Sequence, residues 1–144
     1  VASLHVDDMA YAGDEFFMEK IEQLRKEFAI KETKSGDFLY LGGRFVQGPK
    51  TFEIEFDFNG YVSKLKMIDI PKEEVDENEI LPPFQQKEFA STLGGLLWVA
   101  NNGNPLVAHD VSRISAFKGI ATWAAAREAN KILKLIKSRK NYQC

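Results

Sequence analysis

The sequence predicts an α+β fold, in which an antiparallel sheet with one packed helix precedes a helical bundle. Up to residue 57, apolar and polar residues alternate in short runs, a pattern typical of half-buried strands. After Asn59-Gly60 the apolar residues recur at helical spacing instead. We therefore expect two parts, 1–57 and 58–144, with a boundary near residue 58.

Composition and charge indicate an ordinary globular protein. The 144 residues are 44% apolar and 28% charged, with a net charge of −2. The single cysteine, Cys144, excludes an internal disulfide, which favours a reducing, intracellular compartment (cytoplasmic, possibly nuclear). No apolar run approaches the ~20 residues of a membrane span, so no membrane partner is expected. Because the chain starts at Val1 inside a strand-like run, we expect a piece of a longer protein.

The pair Asp7-Asp8 is the strongest candidate for chemistry. It lies between the strand-like runs Leu4 to Val6 and Met9 to Ala12, which predicts a tight hairpin with an acidic tip. Mg²⁺ prefers carboxylate oxygens, and a two-metal phosphoryl-transfer site holds both ions with such groups. The alternative is that both aspartates are solvated turn residues, since Asp is common in turns.

Asp14 is placed to cap a helix whose apolar stripe would pack on the sheet. That stripe consists of Phe17, Ile21, Leu24 and Phe28. A second hairpin is predicted around Gly42-Gly43, where the glycines permit either close backbone approach or a β-bulge. The phenylalanines of this part are interpreted as core residues: Phe16, Phe17, Phe28, Phe38, Phe45, Phe52 and Phe56.

The second part begins with a short helix at 61–68 and an acidic linker, 69–86, whose Pro-bearing stretch is a candidate mobile loop. Helices are expected from Lys87 onward, with three inward-facing sets of residues. These are Phe89, Leu93, Leu96, Leu97 and Ala100; Val107, Val111 and Ile114; and Ala129, Ile132, Leu133 and Ile136. On the last helix, Arg127, Lys131 and Lys134 form a basic stripe that suits phosphates or is simply a solvated face.

Five motifs in order resemble the carboxy-terminal part of a reverse transcriptase of copia-type long-terminal-repeat retrotransposons. His5-Val6-Asp7-Asp8 is similar to the family's Tyr-x-Asp-Asp box, and Phe38 to Phe45 to its primer-grip hairpin. Phe89 to Ala100 and the stretch from Asn104 to Arg113 resemble two helical segments of the family. Ala124 to Ile136 resembles its last helix, so the likeness covers essentially the whole chain.

The resemblance implies the second half of a polymerase palm followed by a thumb-like bundle. Asp7 and Asp8 would be catalytic residues and ligands of Mg²⁺ or Mn²⁺ in the complete enzyme, with no ion tightly bound to this chain alone. Leu41, Gly42 and Gly43 would support the primer terminus, and Lys31 or Lys34 would match a family lysine. Arg44 follows on the same run and either contacts phosphate or is an ordinary solvated arginine. The implied partners are an RNA/DNA template-primer duplex, the missing fingers and palm half, and a possible downstream ribonuclease H domain.

Two departures from the family leave two hypotheses. His5 replaces the usual aromatic Tyr of the box, and the family's first catalytic aspartate lies in a strand that this chain does not contain. The chain is therefore expected either to be an inactive piece of a polymerase or to be a retrotransposon-derived binding or scaffold module without catalysis. The retained Asp7-Asp8 favours the polymerase, whereas His5 and the missing upstream half favour the module.

Overall fold

The computed structural model describes residues 1–51 and 53–138 and has a mixed α+β fold. Strands β1 (Ala2–His5) and β2 (Asp8–Tyr11) form a two-stranded antiparallel sheet. Strands β3 (Asp37–Tyr40), β4 (Gly43–Gln47) and β5 (Ile54–Asp57) form a second antiparallel sheet in the order β3-β4-β5. The prediction of one sheet is therefore wrong in that the strands divide into two. Phe52, Arg139, Lys140 and Cys144 lie outside the described residues.

Within residues 1–51 and 53–138, five α-helices and one short 3-10 helix accompany the strands. They are α1 (Glu15–Glu27), α2 (Asn59–Lys64), α3 (Pro83–Asn102), the 3-10 helix Pro105–Val107, α4 (Ala108–Ser115) and α5 (Trp123–Ser138). Helix α3 begins at Pro83, a residue type that suits the first helical position, so the predicted linker 69–86 ends at Pro82 instead. Within the described ranges, no helix has the length and apolar character needed to cross a membrane.

Helix α1 begins as predicted but does not bury the predicted stripe. The Asp14 carboxylate accepts a hydrogen bond from the Phe17 backbone N–H at 2.9 Å, which caps the helix. Ile21 is buried, whereas Phe28 is 62% exposed and Leu24 39% exposed. Because the helix ends at Glu27, Phe28 has an extended backbone and leaves the helical periodicity. The prediction that Phe28 packs on the sheet is wrong, and so is the core position of Phe16, which is 67% exposed.

The main core belongs to the helical part, where the predicted periodicities are confirmed. The Phe89, Leu93 and Leu96 side chains of α3 are at most 1% exposed, and they join the inward residues of the other helices in one buried cluster. That cluster includes Val107, Val111, Ile114, Ala129, Ile132, Leu133 and Ile136. The bundle is therefore the part of the chain that carries most of the apolar burial.

A row of aromatic rings joins the three-stranded sheet to this core. The Phe38 and Phe45 rings stack with centroids 5.5 Å apart, and the Phe45 ring lies 4.4 Å from that of Phe56. The Phe56 ring meets the buried Phe58 edge-on at 4.9 Å, and Phe58 meets Tyr61 at 6.3 Å. Aromatic pairs at these distances add to the area they bury. The sheet and bundle therefore share a continuous apolar contact across residue 58.

Hydrogen bonds hold several points of the acidic connector, residues 69–82, and the residue before it. The Asn130 side chain on α5 bonds both the N–H and the carbonyl of Ile68, each at 2.9 Å, just before the connector. The backbone N–H of Ala124 donates to the Glu77 carbonyl at 3.0 Å, and that of Leu81 to the Ala121 carbonyl at 2.8 Å. These contacts give part of the connector's backbone specific partners. That it is a mobile loop stays a prediction.

Candidate active site

The first hairpin places Asp7 in a two-residue turn. Val6 and Asp7 form the turn, and Asp8 is the first residue of β2, paired with His5 across the ladder. Both aspartates are exposed, and in the part of the chain that the structure describes neither carboxylate has a hydrogen-bond or ion-pair partner. The predicted acidic tip is confirmed, with two carboxylates whose oxygens are free for an external ligand.

The tip of the first hairpin has a backbone conformation that is unusual for its residue type. Val6 has a φ of 53°, a left-handed value that is unusual for a β-branched residue. A positive φ at the first turn residue is what two-residue hairpins need, because it matches the twist of the paired strands. The hairpin thus accepts strain at Val6 and directs Asp7 away from the ladder into solvent.

A third carboxylate or imidazole does not complete a metal site within the described ranges. No group of three or more His, Cys, Asp or Glu side chains lies close enough together there to hold an ion. Asp7 and Asp8 could supply oxygen ligands, which suit Mg²⁺, but Mg²⁺ requires near-octahedral coordination. These two residues therefore fit a shared metal site only when further oxygen ligands come from elsewhere.

The second hairpin lies beside the first. The Tyr40 hydroxyl donates to the Ser3 carbonyl at 3.1 Å and lies 3.1 Å from the Ser3 hydroxyl. Leu41 and Gly42 form a two-residue turn with φ values of 52° and 80°, the type I′ pattern, and Tyr40 pairs with Gly43. This regular register excludes the β-bulge considered for the glycines. The structure thus brings the acidic hairpin and the Gly42-Gly43 hairpin together.

The turn of the second hairpin is docked on the helical bundle. The Trp98 indole on α3 donates to the Leu41 carbonyl at 3.1 Å. A Cβ added at Gly42 would lie 3.2 Å from the Tyr61 ring, and one at Gly43 would overlap the Phe56 ring. The close backbone approach that glycine allows here is made by this chain's own aromatic side chains. Gly42 remains exposed on its other side, and Gly43 is buried.

Arg44 is engaged by a carboxylate on the neighbouring strand. Its Nε donates to Asp37 Oδ1 at 3.0 Å and its second guanidinium nitrogen donates to Oδ2 at 2.6 Å, a bidentate pair. Asp57 stands opposite Arg44 in the β4–β5 register. A phosphate that approached Arg44 would therefore have to displace Asp37 and tolerate Asp57.

The ion pair between Arg44 and Asp37 predicts how the Asp37 carboxyl responds to pH. The hydrogen bond from Arg44 holds the pKa of the Asp37 carboxyl below its ordinary value, and the pair raises the pKa of Arg44. Since the folded pKa of Asp37 is lowered, the stabilisation is present above the unfolded pKa of about 3.9 and is lost as pH falls through the folded value. In a carbon-13 NMR titration, Arg44→Gln should move the Asp37 pKa upward toward its ordinary value.

The control is Arg25→Gln, which removes a guanidinium that pairs with Glu22 at 2.8 Å on α1. This change should leave the Asp37 titration where it is in the wild-type protein. An Asp37 pKa that did not move in Arg44→Gln would contradict the assigned cause.

Part of the positive charge of the basic stripe on α5 already lies next to carboxylates of this chain. Lys131 and Lys134 are exposed, and the Lys131 side chain keeps 75% of its accessible surface. The Arg127 Nε lies 3.6 Å from a carboxylate oxygen of Glu77 in the acidic connector, and Lys131 lies 3.8 Å from Glu128. Of the other candidate lysines, Lys34 pairs with Glu32 at 3.2 Å, and Lys31 is exposed. Two lysines of the stripe therefore present most of its open positive charge.

Sequence reasoning did not identify Trp98 or Tyr61 as residues that position the second hairpin. Both lie in or next to apolar helical runs, where an aromatic side chain is interpreted as a core residue. The only sequence signal was that each is an aromatic residue with a polar edge, which when buried usually finds a hydrogen-bond partner. Trp98 does so across 57 residues of sequence.

No family model, curated protein or solved structure matches this chain.

Proposed function

We propose that this chain is part of an RNA-directed DNA polymerase, in which it supplies half of a two-metal nucleotidyl-transfer site. The observation that carries the proposal is the solvent-exposed Asp7-Asp8 pair at the tip of a two-residue hairpin. Ser3 on β1 of that hairpin, away from the tip, contacts Tyr40 of the second hairpin, which has Gly42-Gly43 at its turn. This arrangement fits the motif order that resembles the copia-type reverse transcriptases. The proposed setting is intracellular, with an RNA/DNA template-primer duplex as partner and a ribonuclease H domain as a possible downstream neighbour.

The exposed apolar side chains of the amino-terminal residues also support the proposal, because they leave a surface on which another part of an enzyme would pack. Among residues 1–30, all of which are described, Ile21 alone is buried. Leu4, Val6 and Phe16 are exposed by 73%, 85% and 67%. A two-stranded sheet is at best marginally stable without a further packed layer. In the proposed enzyme, the first half of the palm and the fingers would cover this surface.

The roles of the residues follow from their positions. Asp7 and Asp8 would hold the metal ions, which would activate the primer hydroxyl and stabilise the leaving group of an in-line displacement. Leu41, Gly42 and Gly43 would place the primer terminus near that tip, with Trp98 fixing the turn through the Leu41 carbonyl. Arg44 would exchange Asp37 for a phosphate, and the bundle would lie along the duplex.

Reconstitution tests the proposal. The 144-residue chain should not extend a primer by itself, because at least one metal-ligating carboxylate must come from an absent strand. Joining fingers and a first palm half from a copia-type enzyme, on the same polypeptide or in trans, should restore Mg²⁺-dependent extension. Extension by this chain alone, or a reconstituted protein that folds and binds duplex but never extends, would contradict the proposal.

Binding of the duplex should depend on the stripe of Arg127, Lys131 and Lys134. Each phosphate neutralised contributes roughly −0.9 to the slope of log K against log salt concentration. Replacing all three residues with Ala should therefore flatten the slope for an RNA–DNA duplex by at most about 2.7, and by less where Glu77 already neutralises Arg127. Fluorescence anisotropy over a range of salt concentrations gives the slope.

A matched triple variant removes the same charge elsewhere. Lys50, Lys64 and Lys118 are exposed and lie outside the stripe, so replacing them with Ala should change the slope little. Equal slopes in the two triple variants, or the absence of any salt-dependent binding by the wild-type chain, would leave the stripe as a solvated helix face.

A second candidate function is a binding or scaffold module without catalysis. The observation that favours it is the docked second hairpin, whose turn is held by Trp98 and Tyr61 and whose Arg44 is held by Asp37. The variant His5→Tyr separates the two candidates. A reconstituted protein that stays inactive with His5 and becomes active with Tyr would indicate a degenerate descendant now used for binding.

A further inference from the structure

The chain contains two Asn-Gly dipeptides, Asn59-Gly60 and Asn102-Gly103, which have the same chemistry but different surroundings. In such a pair the glycine backbone nitrogen can attack the asparagine side-chain amide, because glycine has no Cβ to obstruct the approach. The attack requires a free glycine N–H, water around it, and an asparagine side chain that can turn toward it. The two dipeptides differ in all three respects.

Hydrogen bonds and an aromatic contact restrain Asn102-Gly103 at the end of α3. The Gly103 N–H donates to the Val99 carbonyl at 2.9 Å. The Asn102 side-chain amide donates to the Trp98 carbonyl, also at 2.9 Å. Gly103 is half-buried, and a Cβ added there would overlap the Phe58 ring. A reaction between Asn102 and Gly103 would therefore have to break two hydrogen bonds and disturb the packing against Phe58.

Asn59-Gly60, at the start of α2, lacks these restraints. Both residues are exposed, and a Cβ added at Gly60 would meet no atom within 4 Å. Among the residues that the structure describes, neither the Gly60 N–H nor the Asn59 side chain has a hydrogen-bond partner. A helix leaves its first N–H groups without intrahelical acceptors, and Phe58 before this six-residue helix supplies no side-chain cap. The first turn of α2 can therefore open locally more easily than the restrained end of α3.

We propose that Asn59 is a site of spontaneous deamidation in the folded protein, whereas Asn102 is protected. Hydroxide removes the Gly60 N–H proton, and the nitrogen forms a bond to the Asn59 side-chain carbonyl carbon. The bond from that carbon to the side-chain nitrogen breaks, ammonia leaves with a proton from water, and a succinimide ring remains. Water then opens the ring at either carbonyl, which gives an aspartyl or an isoaspartyl residue at position 59. The overall reaction consumes one water and releases one ammonia.

The modified residue lies at the junction between the sheet and the bundle. The new carboxylate is close to that of Asp57, whose Oδ1 accepts from the Asn59 backbone N–H at 2.7 Å, and two like charges at this distance repel. The isoaspartyl product also adds one carbon to the main chain just before Tyr61, the ring that lies against Gly42. Deamidation at Asn59 therefore places charge and extra main-chain length beside the contact between α2 and the second hairpin.

Peptide mapping by tandem mass spectrometry, after incubation at mildly alkaline pH, measures both sites in one sample. The same chain unfolded in guanidinium chloride is the reference, where both asparagines should react at similar rates because glycine follows each. In the folded chain, Asn102 should react roughly tenfold or more slowly than Asn59, since two hydrogen bonds must break first. Equal rates in the folded chain, or an Asn59 that reacts only when the chain is unfolded, would overturn the proposal.

The variant Gly60→Ala tests the chemical route. The open space around Gly60 accommodates the methyl group, and Ala favours a helix, so the melting temperature should not fall. The methyl group obstructs the attacking nitrogen, so the modification at Asn59 should be lost over the same incubation. Labelling by an isoaspartate methyltransferase should be strong for the incubated wild-type chain and weak for the variant. Equal modification of Asn59 in the two chains, or a wild-type product without isoaspartate, would exclude the succinimide route.

Discussion

Phe89→Ala is expected to lower the free energy of unfolding by about 3–5 kcal/mol, because it removes a large ring from the best-packed part of the protein. The Phe89 side chain is fully buried, at 0% exposure, within the cluster formed by α3, α4 and α5. The loss combines the transfer free energy of the ring with the cavity that incomplete relaxation leaves behind. Urea denaturation followed by circular dichroism, with the midpoint and slope fitted separately, measures it.

Phe28→Ala is the matched control, because it deletes the same ring from a site that is 62% exposed. Its expected effect lies within about 0.5 kcal/mol of zero, as for most exposed substitutions. A variant of Phe89 too unstable to show a folded baseline would agree with the prediction. A loss at Phe28 that equalled the loss at Phe89 would contradict the assigned burial, and would indicate that residues 15–28 pack against the protein more extensively than the described contacts.

The contrast between the two rings shows what periodicity can predict. In α3, α4 and α5 the helical spacing of apolar residues gave the correct inward faces, including Val111 and Leu133, because each helix is enclosed by others. In α1 the same spacing failed at Leu24 and Phe28. Periodicity identifies the face a helix would bury, but burial also requires a second layer, and the two-stranded sheet beside α1 supplies little. The ring centroids of Phe17 and of Tyr11 on β2 are 6.4 Å apart, and Ile21 is buried.

The contacts of the acidic connector could not be predicted for a different physical reason. They are single hydrogen bonds to residues far away in sequence, such as that from the Ala124 N–H to the Glu77 carbonyl. Such contacts leave no period in the sequence and no apolar run. Charge density favoured a mobile loop, which stays a prediction, while the structure shows that the apolar residues Ile68 and Leu81 at the two ends are 2% and 3% exposed.

The candidate site was predictable only in part. Two adjacent carboxylates between alternating runs define a hairpin tip from sequence, since turn length and strand pattern are local properties. The docking of Leu41 on Trp98 and the Arg44–Asp37 pair both depend on how elements meet in space. Arg44 and Asp37 lie seven residues apart and become neighbours only because the turn between them has two residues.

Asp7→Asn is expected to abolish primer extension in the reconstituted polymerase while leaving the fold unchanged. The substitution removes the negative charge of an oxygen ligand shared with the metal ions but keeps the size of the side chain. Losing such a ligand removes several kcal/mol of transition-state stabilisation, and each 1.36 kcal/mol is tenfold in rate, so extension should fall at least about a hundredfold. Because Asp7 is exposed at a turn, the melting temperature should stay within the range of ordinary surface substitutions.

Asp69→Asn provides the matched control, since it removes one negative charge from an exposed position in the connector. It should keep the extension rate, which separates the role of a metal ligand from a general effect of charge on duplex binding. The apparent Mg²⁺ requirement offers a second measurement: Asp7→Asn should need a higher Mg²⁺ concentration for any residual extension, and Asp69→Asn should not. If Asp7→Asn extended primers as fast as the parent, the acidic tip would be ordinary turn chemistry, and the polymerase proposal would lose the residue on which it rests.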